Sequence, residues 1–391
     1  MKVNKWLLSV IVILVVLLTG CAFPRGTAAP PVSEPTTTPP PVSSPPPSSV
    51  AGTVADIEAT LASIYNQTNL SVVNIQVVLQ GTLLSPGGGA LGSGFVWDNQ
   101  GNIVTNNHVV DGASRITVTF YDGTVAEATL MGTDVDSDLA VIKVSTDGVQ
   151  LQPVTMADST QLQVGQLAIA IGNPFGLQGT MTVGFISGLG RVLPSTESAM
   201  GPNYSIPDIV QTDAAINPGN SGGVLLDDTG RVIGVTSSIA TTSGTSAGVG
   251  FAIPSAIVQK VVPALIKTGH YEHPYLGIAV VSLSPDLATA MNLPANQRGA
   301  LVEDVTTGSP ADKAGLKASE TPVTINGQDT FVGGDVIVAY NGQTVKSSDE
   351  LVTFLARFGA VGETITLTVL RDVNQVQVPV TLGVRPSALG Q

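Results

Sequence analysis

The chain has 391 residues with 16 Lys and Arg against 29 Asp and Glu. The resulting net charge of −13 would repel a phosphate backbone, so no nucleic-acid partner is expected. Hydrophobic residues make up 43% and charged residues only 12%, which excludes whole-chain disorder, and a single long apolar run excludes a polytopic membrane protein. The length suggests two or three domains, and 43 Gly with 26 Pro imply many tight turns around a β-rich core.

Lys2 and Lys5 precede the apolar run Trp6–Leu18, which ends in Leu18-Thr19-Gly20-Cys21. A basic start, a short apolar stretch and small residues describe a secretory signal, too short to span a bilayer. The segment resembles a bacterial lipobox, which implies cleavage before Cys21 and lipid on Cys21, the only cysteine. Residues 1–21 are therefore read as a lipoprotein signal. Residues 22–50 hold ten prolines among Ser and Thr, so this linker stays solvated and extended. The rest of the chain is expected outside the cytoplasm, in the periplasm or at the cell surface, tethered to the membrane.

Val54–Ser63 reads as a short helix, with Val54, Ile57, Leu61 and Ile64 at helical spacing. From Ser71 to about Ile253 the pattern is short β-rich runs between Gly, Asn and Asp, which suggests an all-β barrel or sandwich. Pro254–Thr268 reads as a helix and His270–Pro274 as a linker. Tyr275 to about Val384 mixes strands (Thr364–Leu370, Val376–Leu382) with helices (Ala311–Leu316, Ser348–Arg357), an independent domain by size. The boundaries drawn are 52–268 and 275–385.

Gly219-Asn220-Ser221-Gly222-Gly223 places a serine among glycines, where tight turns let backbone amides converge on one point. It also matches the nucleophile elbow of α/β-hydrolases, but that fold needs a strand–helix alternation and a downstream histidine, and the surrounding sequence is strand-rich. A serine needs a base, and of three histidines only His108 lies within the β-rich region. The imidazole in turn needs an acid. Asp138 opens a buried-looking strand, while Asp111, Asp134 and Asp136 compete with it and read as solvated loop carboxylates.

The order His, Asp, Ser is that of chymotrypsin-type barrels. Thr105-Asn106-Asn107-His108-Val109, Ser137-Asp138-Leu139-Ala140-Val141 and Thr212–Gly223 resemble the three signatures of the HtrA/Deg serine proteases. Gly172-Asn173-Pro174-Phe175-Gly176 and Gly250-Phe251-Ala252-Ile253-Pro254 resemble two further landmarks, and the likeness covers about residues 54–385. It implies a mostly β fold, a trypsin-like double β-barrel followed by one α+β PDZ domain, assembled as a homotrimer through the N-terminal segment. It also implies Ser221 as nucleophile, His108 as base, Asp138 as orienting acid, and an oxyanion hole of the Gly219 and Ser221 amides. Arg191, in a loop read as Leu189–Ser205, resembles a family arginine that relays binding to that hole. Gln80–Leu91 is short, without the long inserted loop of cage-forming members, which favours a tethered trimer.

Tyr275-Leu276-Gly277-Ile278 resembles the carboxylate-binding loop of a PDZ domain, where amides around Leu276, Gly277 and Ile278 could hold a peptide C-terminus. The pocket for the residue before the cut would be lined by Ala215, Ile216 and Ile239, without an acid to pair a basic side chain. His270 and His273 form an H-x-x-H, but with no neighbouring cysteine or acidic cluster they read as linker residues. Neither a metal nor a cofactor is expected, and no phosphate-binding loop offers an ATP site. The expected activity is ATP-independent endopeptidase cleavage of misfolded or unfolded extracytoplasmic proteins. The alternative is a chaperone or scaffold that binds C-termini and cleaves little.

Overall fold

The computed structural model describes residues 51–79, 88–174, 179–194, 205–237 and 248–386. Helix α1 (Ala51–Thr68) leads into β1 (Val72–Leu79), β2 (Gly89–Val96), β3 (Asn102–Thr105), β4 (Ala113–Thr119), β5 (Val125–Asp134) and β6 (Leu139–Val144). These six strands close into a barrel in the order β1-β2-β3-β6-β5-β4. A second barrel, β10-β11-β12-β9-β8-β7, is built from β7 (Leu167–Gly172), β8 (Thr180–Pro194), β9 (Ser205–Thr212), β10 (Val224–Leu226), β11 (Val232–Ser237) and β12 (Gly250–Pro254). The fold is mostly β, as a double barrel of trypsin type requires.

Strand alternation decides which core each side chain enters. Ile103, Ala140 and Ile142 face the interior of the first barrel, while their neighbours Val104, Leu139 and Val141 face out. These meet Ile169, Ile171, Val224 and Val235 of the second barrel in one buried cluster. Helix α2 (Ser255–Thr268) seals this interface with Ile257, Val258, Val261 and Leu265, and ends where Gly269 turns left-handed at φ 81°.

The C-terminal region contains β13 (Pro274–Tyr275), β14 (Ile278–Ser282), β15 (Ala300–Val305), β16 (Thr321–Ile325), β17 (Gln328–Val332), β18 (Val336–Tyr340), β19 (Gln343–Thr344), helix α3 (Ser348–Phe358), β20 (Thr364–Arg371), β21 (Asn374–Thr381) and β22 (Gly383–Val384). Its main sheet runs β14-β15-β18-β20-β21, and α3 covers it through Leu351, Phe354 and Leu355.

Several expectations need correction. The first helix runs to Thr68 rather than Ser63, and Val54 and Ile57 on its apolar stripe are exposed while Ile64 is buried. Leu189–Ser205 is not a loop from its start: β8 continues to Pro194 because Arg191 pairs with Ile209 and Leu193 with Ile206. The helix expected over Ala311–Leu316 is the single turn Pro310–Lys313, started by Ser309, whose side chain accepts from the Asp312 N–H. His273 and Asp134 are also not free linker and loop groups, as shown below.

Candidate active site

The pairing of β3 with β6 sets Thr105 opposite Ala140, so the residues just after one strand meet those just before the other. His108 follows β3 on the helical turn Asn107–Val110. Its Nδ1 lies 2.9 and 3.0 Å from the two carboxylate oxygens of Asp138. Because a carboxylate only accepts, Nδ1 is the nitrogen that carries the hydrogen in this contact. Asp138 is wholly buried, in the left-handed region at φ 53°, a conformation Asp tolerates better than most residues. Four further donors hold it. The His108 N–H reaches Oδ1 at 3.0 Å and the Ser237 hydroxyl reaches Oδ2 at 3.3 Å. The Asn106 side-chain amide and the Asn107 N–H both donate to its carbonyl.

Ser221 sits in the glycine turn before β10, buried at 1% exposure. That turn is fastened to the second barrel by Gly222 N–H donating to Thr236 O at 2.9 Å and by the Thr236 hydroxyl donating to Asn220 O at 2.6 Å. The next residue, Ser237, is the one that donates to Asp138. One β11 segment therefore fixes both the serine turn and the acid.

Ser93 on β2 makes the matching link from the first barrel. Its N–H donates to Ser221 O at 2.8 Å, and its carbonyl accepts from the Thr105 hydroxyl at 2.7 Å. Its own hydroxyl donates to Gly219 O at 2.6 Å and accepts from Asn173 N–H at 2.8 Å. Gly219 and Gly222 take φ of 92° and 84°, and a Cβ on Gly222 would lie 2.1 Å from Ser93 O. Only glycine fits that approach. Sequence reasoning missed Ser93, within β2, and Ser237, at the end of β11; a small polar residue in a strand carries no signal of its own.

Ala215 is half-buried and its carbonyl accepts from the Thr182 hydroxyl, while Ile216 is buried. Gly250 stands against Ile216, leaving only 2.6 Å between a built Cβ and Ile216 Cγ1. Ile239 and Cys21 lie outside the described residues. Arg191 is exposed and donates to the Gln211 side chain.

Gly277 takes φ 82°, and its Cβ would strike Ser309. The carbonyls of Leu276 and Gly277 accept from Ala311 and Thr306. Each amide is antiparallel to its carbonyl, so the N–H groups of Gly277 and Ile278 point the opposite way. Leu276, Gly277, Ile278 and Val280 line a groove with Leu351 and Leu355 of α3. Helix α3 also touches the second barrel. Arg357 makes a two-pronged ion pair with the wholly buried Asp208 of β9, and Lys260 Nζ donates to the carbonyls of Ala356 and Gly359. Burial raises the Asp208 carboxyl above its ordinary range, with Arg357 opposing that rise, and burial lowers Lys260.

Away from this site, His273 Nε2 lies 2.9 Å from both carboxylate oxygens of Asp134. Asp134, read as a solvated carboxylate, is buried, because β13 pairs with β22 and brings the linker against the end of β5. His270 is exposed and bonds only locally, to Thr268.

Residues 92–235 match the trypsin-like peptidase domain and residues 274–382 match the PDZ domain. The chain is 40% identical over 334 residues to the chloroplastic Protease Do-like 1 of Arabidopsis thaliana, covering 85% of this chain and 72% of that one. It is 42% identical over 299 residues to a probable periplasmic serine endoprotease, DegP-like, of Chlamydia trachomatis. That match covers 76% of this chain and 55% of the relative, so the chain spans about half the length of this second relative. The fold superposes on the HtrA-type protease AlgW solved with a decapeptide, at TM-score 0.62 and 32% identity, covering 84% of this chain and 99% of that structure. With a tripeptide the same protease gives TM-score 0.64 and 33% identity, with 84% and 99% covered.

Proposed function

The chain belongs to the HtrA/Deg family of serine proteases and is a serine-type endopeptidase, and from this premise we propose that Ser221, His108 and Asp138 are its catalytic triad. His108 Nε2 takes the Ser221 hydroxyl proton as Oγ attacks the scissile carbonyl carbon, and returns it to the leaving amine. Water then hydrolyses the acyl-enzyme by the same route. Asp138 holds the imidazole in the required tautomer and stabilises the imidazolium. The observation that carries this reading is the buried Asp138 carboxylate bonded to His108 Nδ1. The Gly219 and Ser221 amides form the oxyanion hole, supported by the fixed turn between them.

The substrates we infer are unfolded or misfolded proteins outside the cytoplasm, cleaved without ATP. The groove beside Leu276, Gly277 and Ile278 binds peptide C-termini, with amides for the carboxylate and β14 as the strand a peptide extends. Arg191 relays events at that domain to the oxyanion hole; α3 reaches β8 beside it, through the Thr353 hydroxyl donating to Gly190 O. Cys21 carries the lipid that holds the chain at the membrane. Exposed Val54 and Ile57 on α1 support self-association into a trimer.

A fluorophosphonate probe added with unfolded casein tests the triad. Labelling that maps to Ser221 and vanishes in His108→Ala is expected. Absence of labelling alongside tight casein binding would instead favour the scaffold reading.

A further inference from the structure

We propose that Asp134, Asp136 and His273 form a binding site for a divalent transition-metal cation of the zinc type, tying the segment that enters the PDZ domain to the turn that precedes Asp138. Glu272 is the one carboxylate within the H-x-x-H segment, but the fold supplies two more from over a hundred residues upstream. Among the described residues this is a group whose three donor atoms all lie within 4.8 Å of one another.

The distances suit a small cation. His273 Nε2 is 2.9 Å from both oxygens of Asp134 and 4.0 Å from Oδ2 of Asp136. Tetrahedral zinc with bonds of about 2.0–2.2 Å needs donors roughly 3.3–3.6 Å apart, a spacing that these values straddle. One imidazole nitrogen with two carboxylates suits zinc and its neighbours in the first transition row. Calcium takes six to eight oxygen ligands, which this set does not supply.

The ligands are also supported from behind. The Ser137 hydroxyl donates to Asp134, and the Tyr271 ring packs edge-on against His273 with centroids 4.8 Å apart. Such supports orient a ligand before the metal arrives. Access comes from the groove, whose wall includes Asp136 and His273, leaving a fourth position for water.

Two groups compete with the metal. The first is the hydrogen on His273 Nε2, which faces the Asp134 carboxylate and must leave that nitrogen on binding. The second is Arg385, whose Nη1 is 3.4 Å from Asp136 Oδ1. Its backbone N–H is anchored to His273 O, but its side chain is 42% exposed and can swing away. Tyr271, raised by burial and by Asp134, and Lys260 of α2 line a cavity beside His273 as well.

The experiment is a calorimetric titration of ZnCl2 into the full chain carrying Ser221→Ala, in detergent, repeated with Co²⁺ to read its visible absorption. One equivalent per chain is expected, with tetrahedral cobalt bands. His273→Gln should weaken binding more than tenfold, His108→Ala and His270→Gln should leave it unchanged, and Arg385→Gln should tighten it. Absence of saturable binding overturns the site. So does binding that survives His273→Gln, or that is lost in His108→Ala.

Discussion

The backbone N–H of Ser93, in the first barrel, donates to the carbonyl of Ser221, in the second, at 2.8 Å. The hydroxyl of the same residue holds Gly219 O, so one side chain fixes the Gly219–Asn220 peptide within the serine turn. Ser93→Ala keeps the first bond and loses the second. It removes one hydrogen bond each from the half-buried Gly219 carbonyl and the buried Asn173 N–H, at a cost of about 1–3 kcal/mol. We expect kcat on a peptide substrate to fall by about tenfold or more with little change in KM, the mark of lost transition-state stabilisation. Unchanged kcat would show that the Gly219 carbonyl needs no such tether.

Gly222→Ala is expected to fail through geometry rather than chemistry. A methyl group there meets Ser93 O and the Thr105 hydroxyl in a backbone with φ 84°. Overpacking of this kind costs about 1–3 kcal/mol or more. Denaturant unfolding should show the loss, and peptidase activity should fall with it. A stable, active variant would mean that the two barrels approach less closely than described.

Arg357→Ala strips Asp208 of its counter-charge while it remains buried. Breaking such a pair costs about 3–5 kcal/mol, and Asp208→Asn in the same chain should restore most of it. The pH dependence has a definite sign. Burial holds the folded Asp208 pKa above its unfolded value, so the native state binds that proton more tightly. The associated stability is present at acid pH and is lost as pH rises through the raised pKa. Arg357→Ala, lacking the opposing guanidinium, should carry this loss to higher pH than in the parent in unfolding curves taken from acid to neutral pH.

Cleavage should fall after small aliphatic residues and seldom after Lys or Arg. Ala215 and Ile216 offer no carboxylate, and an unpaired buried cation costs several kcal/mol. Mass spectrometry of peptides from a digested unfolded protein reads the sites directly. Cuts mainly after basic residues would contradict this pocket, and cuts mainly after large aromatics would contradict its depth.

Cys21→Ser should abolish incorporation of a fatty-acid analogue and move the protein out of the membrane fraction. Equal labelling of both forms would place the lipid elsewhere.

The barrels were legible because their strands are short, apolar and punctuated by Gly, Asn and Asp, a pattern that survives without any tertiary information. His108 stood out because the chain has only three histidines. What escaped the sequence depends on register and on distance. Leu193 and Ile206 belong to one ladder, but nothing local announces that β8 will run so far. Asp134 resembles any loop carboxylate until β13 and β22 pair and carry His273 against it. Ser93 and Ser237 matter only because each lies at a strand position facing the seam between barrels.

The backbone at Asp138, left-handed at φ 53°, restricts which neighbouring sequences are open to this protein. Asn is among the few residues that rest easily in that conformation, and it matches Asp in size while lacking its charge. Asp138→Asn is thus the gentlest way to silence the chain: the barrel should keep its shape while the imidazole loses its tautomer and turnover falls by about 10⁴. Ala or Val there would add backbone strain to the loss. A lineage abandoning proteolysis but keeping its binding domain would find Asn the smoothest exit, and relatives with Asn at this position should be sought among folded, non-cleaving descendants.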